Sequence, residues 1–140
     1  MRNGRLWYKA LDADLGALLL RLILGGLMAY HGYNKFVGYD QILPMFSDVI
    51  GIGAKLSFNL VIFAELVCGI LVAVGFLTRL AIVPIFITMG VAFFVAHAQD
   101  PFQGKILPFT FLLLSIVVFV LGSGRYSIDA LLFGSKNREV

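Results

Sequence analysis

The chain has 140 residues, of which 60% are hydrophobic and only 14% charged, with a mean hydropathy of +0.94. Eleven Lys and Arg and eight Asp and Glu cannot coat a soluble domain of this length, so the composition excludes a water-soluble core and points to an integral membrane protein. A net charge of +3, scattered along the chain, excludes a nucleic-acid surface; one cysteine excludes an internal disulfide, CxxC chemistry, thiolate zinc clusters and iron–sulfur ligation within the chain.

A spanning helix needs about 20 mostly apolar residues to cross about 30 Å of hydrocarbon. Four segments qualify, from about Leu15 to Phe36, Leu56 to Leu77, Leu80 to His97 and Ile106 to Gly122, so the expected fold is all-α: a four-helix transmembrane bundle forming a single domain. Arg21 interrupts the first segment and Glu65 the second. A central charge costs about 2.5 to 3.5 kcal/mol, which the second segment offsets with its many Leu, Ile, Phe and Val, whereas the first is marginal unless Arg21 finds a partner in the bundle. The opening stretch is too long for a secretory signal and is expected to be retained. Between the first two spans, the residues from Gly38 to Gly53 interleave apolar and polar side chains, a pattern for a short interfacial helix that Pro44 shortens or bends. The loop around Thr78 is so short that the second and third spans are expected to be antiparallel neighbours. After the fourth span, Ser127 is placed to cap a final short helix along the interface.

Lys and Arg counts in the flanks set the orientation. Arg2, Arg5, Lys9, Arg79, Arg125, Lys136 and Arg138 fall on the side of both termini, against Lys35, Lys55 and Lys105 on the other, so both ends are expected to be cytoplasmic. Trp7 and Tyr8, beside Arg5 and Lys9, fit an interfacial anchor at that face, as does Tyr126 beside Arg125.

The polar residues inside the spans carry the functional question. Arg21, Gly25, Met28, Gly32 and Lys35 share one stripe of the first helix, with His31 about 80° from Arg21. Arg79, Phe86, Gly90, Phe93 and His97 share a stripe of the third. From the terminal side, a rise of about 1.5 Å per residue puts Arg21 about 9 Å deep, Glu65 about 18 Å, and His31 and His97 about 24 to 27 Å. The expected site is a network of Arg21, Glu65, His31 and His97, with Asn34, Lys35 and Arg79 at its edges, although the N-terminal lean of helical side chains turns Arg21 away from Glu65. In that case Glu65 would meet His31 while Arg21 reaches toward the terminal interface. The competing structural readings are that Arg21 and Glu65 only hold helices in register, that Lys35 and Arg79 are snorkelling anchors, and that the two histidines are interfacial hydrogen-bonders. Cys68 reads as an inert packing residue.

Two histidines at matching depth suggest a b-type haem, or with Glu65 a metal site, but a chain this small and rich in Phe leaves little room for a porphyrin, so haem and metal are disfavoured. No nucleotide loop, Ser-His-Asp order or paired-carboxylate motif is present. A quinone site asks for less: a His or carboxylate to exchange protons with carbonyls, and an apolar slot for the ring and tail.

The chain resembles the DoxX family of small bacterial membrane proteins. The resemblance runs through Leu19-Leu20-Arg21-Leu22, His31-Gly32-Tyr33-Asn34-Lys35-Phe36, Glu65-Leu66-Val67-Cys68-Gly69, Gly75-Phe76-Leu77-Thr78-Arg79-Leu80, His97, and Gly122-Ser123-Gly124-Arg125-Tyr126-Ser127-Ile128-Asp129. It implies a four-helix membrane bundle and, by relation to quinone-linked thiosulfate oxidoreductase subunits and thiol-stress complexes, a redox association. Three functions follow as expectations: a membrane subunit or accessory protein of an oxidoreductase with a quinone-like ligand near Glu65, a non-catalytic scaffold, or an oligomeric carrier of a small anion or proton. The partners expected are the lipid bilayer and either another protein or further copies of the chain.

Overall fold

The computed structural model describes residues 9–134; the Trp7–Tyr8 anchor and the terminal charges of residues 2, 5, 136 and 138 lie outside it. Asp12 opens the first helix by accepting from the backbone N–H groups of Asp14 and Leu15, and α1 then runs Ala13–Val37 until Gly38 closes it. The expected interfacial helix is a single turn, α2 (Tyr39–Ile42), continued by a tighter turn at Leu43–Met45 that contains Pro44. The rest of that connection is irregular, and Asp48 organises it by accepting from the N–H groups of Gly51, Ile52 and Gly53. Three further long helices follow: α3 (Ala54–Val74), α4 (Thr78–Ala96) and α5 (Phe102–Leu121). A short α6 (Ile128–Phe133) ends the described chain, capped by the Ser127 hydroxyl, which accepts from Ala130 N–H at 3.1 Å.

Four helices are long and apolar enough to cross a membrane, and there is no strand among the described residues. The protein is a multi-pass helical membrane bundle. Leu24, Met28, Cys68, Val72, Ile82, Ile85, Phe111 and Val118 form its core, while Leu22, Ile23, Ile70, Ile87, Ile116 and Phe119 face outward, as acyl chains require. Cys68 is buried and free, in the packing position read from the sequence.

Glycines make the α1–α3 contact close. A Cβ on Gly25 would lie 2.5 Å from the Gly69 carbonyl oxygen, and one on Gly69 would lie 2.7 Å from the Ala29 nitrogen, so the two backbones touch where lipid offers no hydrophobic drive to join them. Two helices also carry a wide turn of five residues, Phe63–Val67 in α3 and Ala92–Ala96 at the end of α4. Such turns are rare, well under about 1% of residues, and concentrate at functional positions. One contains Glu65; the other ends at His97.

Candidate functional site

The bundle has two polar ends. At the end where α1 starts and α6 lies, which we call the terminal end, α3 stops at Gly75 (φ 73°) and α4 begins after Leu77 (φ 48°), a non-glycine residue in the left-handed region. This strained turn is held from a distance. Asp129, about 50 residues later, accepts from Leu77 N–H at 2.8 Å and Thr78 N–H at 3.2 Å, and its own N–H donates to Gly75 at 2.9 Å. It serves as the N-cap that α4 lacks locally.

Arg21 completes this clasp. Its guanidinium, 1% exposed, donates to the carbonyls of Val72 (3.3 Å), Ala73 (3.0 Å) and Tyr126 (2.6 Å). The first two belong to the last turn of α3, at the negative end of the helix, where carbonyls attract a cation; that of Val72 also accepts from Gly75 N–H at 3.1 Å. Arg125 fastens the same end to the start of α1: its guanidinium reaches Asp12 at 2.9 Å, and its N–H donates to Asp14 at 3.0 Å. The Asp12 carboxyl is held below its ordinary range by the Leu15 N–H and, despite some desolvation, by Arg125. Arg125 is in turn raised by Tyr126 and Asp12.

At the opposite, loop end, Glu65 meets Lys35. The carboxylate is 5% exposed and lies 2.5 Å from the Lys35 ammonium, which is 29% exposed. The geometry follows from side-chain lean. Lys35 sits about 21 Å beyond Arg21 along α1 and leans back toward the helix N-terminus, into the membrane; Glu65, on an antiparallel helix, leans toward its own N-terminus and so toward Lys35. Arg21 and Glu65 lean apart by the same rule.

The pair lies on the wall of a cavity of about 300 Å³ between α3 and α4. Its lining is mostly apolar and includes Phe46, Leu60, Val61, Ile87, Met89 and Val91; the polar groups are Lys35, Glu65, Ser57, Thr88 and His97. Ser57 is buried, and its hydroxyl has no hydrogen-bond partner among the described residues. Both wide turns contribute to this wall, through Glu65 on one side and Ala92 and Ala96 on the other. Leu60 and Ile87 are about half exposed (48% and 57%), so the cavity opens sideways toward the acyl chains. The connection between α1 and α3 roofs it, with Phe46 stacked at 5.0 Å and Tyr39 at 5.2 Å on buried Phe58.

Of the residues read from the sequence, Lys35, Glu65 and His97 come together on this cavity. His97 is 2.6 Å from Asp100, an acidic neighbour the sequence reading did not single out, and both are about half exposed. The others lie elsewhere. Arg21 belongs to the terminal clasp and not to a network with Glu65. His31 packs edge-on against Tyr30 (5.9 Å) and Phe111 (6.2 Å), on the side of α5, and is not part of the cavity lining. Asn34 is exposed one position away from the inward stripe. Arg79 donates from Nε to the Phe119 carbonyl at 3.1 Å, near the end of α5. The snorkelling reading of Lys35 is also corrected, since its ammonium turns inward to Glu65. Ser57 was missed; a serine inside an apolar helix, two turns before a buried Glu and on its face, was the available signal.

The DoxX family model matches residues 16–98. A protein of Bacillus subtilis named "Putative oxidoreductase CatD" is 32% identical to the chain over 129 residues, covering 91% of this chain and 95% of its own length. An uncharacterized membrane protein of Mycobacterium tuberculosis is 34% identical, covering 88% and 86%. An uncharacterized protein of Haemophilus influenzae is 24% identical, covering 89% and 87%. No solved structure matches the chain. The matched region, more than half of the chain, together with the four apolar helices, places this chain in the DoxX family of membrane proteins.

Proposed function

We propose that the chain is a membrane subunit or accessory protein of a redox system and holds a quinone-like ligand in the Lys35–Glu65 cavity. The observation that carries this reading is a buried carboxylate, paired to a lysine, on the wall of an otherwise apolar cavity that opens to lipid. A volume of about 300 Å³ is at the lower end of small-molecule pockets, about 300 to 1,000 Å³, and suits a ring with its tail left in the bilayer.

The chain's own residues supply hydrogen bonds and protons. The Lys35 ammonium and the Ser57 hydroxyl are donors for ring carbonyls, and Glu65, with Lys35 partly in contact with water, is placed to exchange protons with the ligand. His97 with Asp100 stands at the cavity mouth as a proton relay. Electrons come from a protein partner; the relative named an oxidoreductase supports this assignment. The chain then lies in the bacterial inner membrane with both termini cytoplasmic, in line with its Lys and Arg distribution.

Organic extraction of the purified protein tests the proposal. The wild type is expected to yield quinone in near-stoichiometric amount, and folded Glu65→Gln about tenfold less; equal yields from the two proteins would refute it. The scaffold reading draws on the terminal clasp, where both Arg21 Nη groups donate to backbone carbonyls. If it extends to the loop end, Glu65→Gln lowers stability and leaves ligand content and partner function unchanged.

A further inference from the structure

A second recess lies away from the Glu65 cavity, on the outer face between α4 and α5 at the terminal end. It is a cleft of about 510 Å³ that includes Thr78, Arg79, Ser123 and Asp129. Beside it, deeper in the membrane, a groove of about 250 Å³ runs between the same two helices, lined by Ile82, Val83, Phe86, Ser115, Ile116 and Phe119. Its accessible lining is wholly apolar. The two recesses are neighbours: Arg79 lines the cleft and donates to the carbonyl of Phe119, a residue of the groove. From Arg79 to Phe86 the helix rises about 10 Å, so a headgroup-level cation stands over an acyl-depth trough.

The charges of the cleft are unequal in their commitments. Both Asp129 oxygens already accept from Leu77 and Thr78. Arg125, at the same end, is paired with Asp12 and Asp14. Arg79 forms no ion pair among the described residues, and its only hydrogen bond there uses Nε, which leaves both Nη groups for a ligand. The Thr78 hydroxyl, in a residue 1% exposed, has no partner there either. A guanidinium fork binds phosphate oxygens in bidentate fashion. An apolar trough leading from such a fork matches one molecule with a phosphate at one end and hydrocarbon at the other.

We propose that this cleft and groove bind one anionic phospholipid, its phosphate on Arg79 and an acyl chain between α4 and α5. The charge decides for this occupant over a helix of a second copy, whose apolar face would leave Arg79 without a counter-charge.

The test is native mass spectrometry of the full chain released from vesicles of mixed phosphatidylglycerol and phosphatidylcholine. The wild type is expected to retain one phosphatidylglycerol in preference to phosphatidylcholine. Arg79→Gln is expected to lower that preference about tenfold, the loss of a charge-assisted hydrogen bond, with Arg79→Lys restoring part of it and Arg125→Gln leaving it unchanged. Val83→Trp, which fills the groove and keeps the cation, is expected to reduce retention of the lipid. Unchanged preference in Arg79→Gln, full retention in Val83→Trp, or displacement of the lipid by inorganic phosphate alone would each overturn the proposal. Retention of a second copy of the chain in place of lipid would overturn it as well.

Discussion

The two ends of the bundle use their buried charges in opposite ways. At the terminal end, the two Arg21 Nη groups donate to three backbone carbonyls while its Nε is left without a partner among the described residues, Asp129 accepts from two N–H groups, and the packing around Gly75 is so close that a Cβ there would lie 2.5 Å from that of Ser127. At the loop end, Glu65 has one ionic partner and about 300 Å³ of space in front of it. A charge in lipid is therefore not by itself a sign of a site. What distinguishes the two is whether the backbone consumes the charge or a cavity faces it.

Substitutions sharpen that contrast. Arg21→Leu removes the guanidinium donor from the carbonyls of Val72, Ala73 and Tyr126, of which Val72 keeps the Gly75 N–H, and is expected to cost about 3 kcal/mol, read as a large fall in thermal midpoint in detergent, with ligand content per folded molecule unchanged. Gly25→Ala forces α1 and α3 apart against backbone atoms and is expected to cost about 2 kcal/mol in the same measurement. Asp129→Ala removes the cap of α4 and frees Leu77 from its strained turn, at about 1 to 2 kcal/mol.

At the loop end the stability effects are smaller. A double-mutant cycle of Glu65→Gln with Lys35→Met is expected to give a coupling of about 1 kcal/mol, because Lys35 reaches water when its partner is lost. A coupling above about 3 kcal/mol together with unchanged ligand content would assign the pair to structure alone. The smallest effect is expected at Asp12. Its folded carboxyl titrates below the ordinary value of 3.8, so the stabilisation from its contacts is complete above that value and fades as pH falls through the lower folded one. An Asp12→Asn variant should show a flatter acid limb of stability against pH than the wild type.

The spans were legible in the sequence because twenty-residue apolar runs have few alternatives in a chain of this composition. The loop connections were less so: the short helix cut by Pro44 was expected, but the Asp48 turns that hold the rest of the segment were not. Of the residues that stripe and depth grouped, Lys35, Glu65 and His97 line the cavity, whereas Arg21, His31, Asn34 and Arg79 lie elsewhere. Periodicity gives the face of a helix and the level of a Cα, whereas the partner depends on which way each side chain leans. The lean that turns Arg21 away from Glu65 also brings Lys35 to it. The wide turns at Glu65 and before His97 leave no compositional trace. Asp129 stood in a visible motif, yet its partners Leu77 and Thr78 lie about 50 residues upstream, a pairing that spacing does not reveal.

Photolabelling of the purified wild type with an azido-quinone, followed by peptide mapping, tests the contrast between the ends most directly. Label on the cavity-lining stretches of α3 and α4 near Glu65 and His97, suppressed by excess quinone and lost in Glu65→Gln, is the expected result. Label spread over the outer lipid-facing surfaces, or label unchanged in Glu65→Gln, would contradict it.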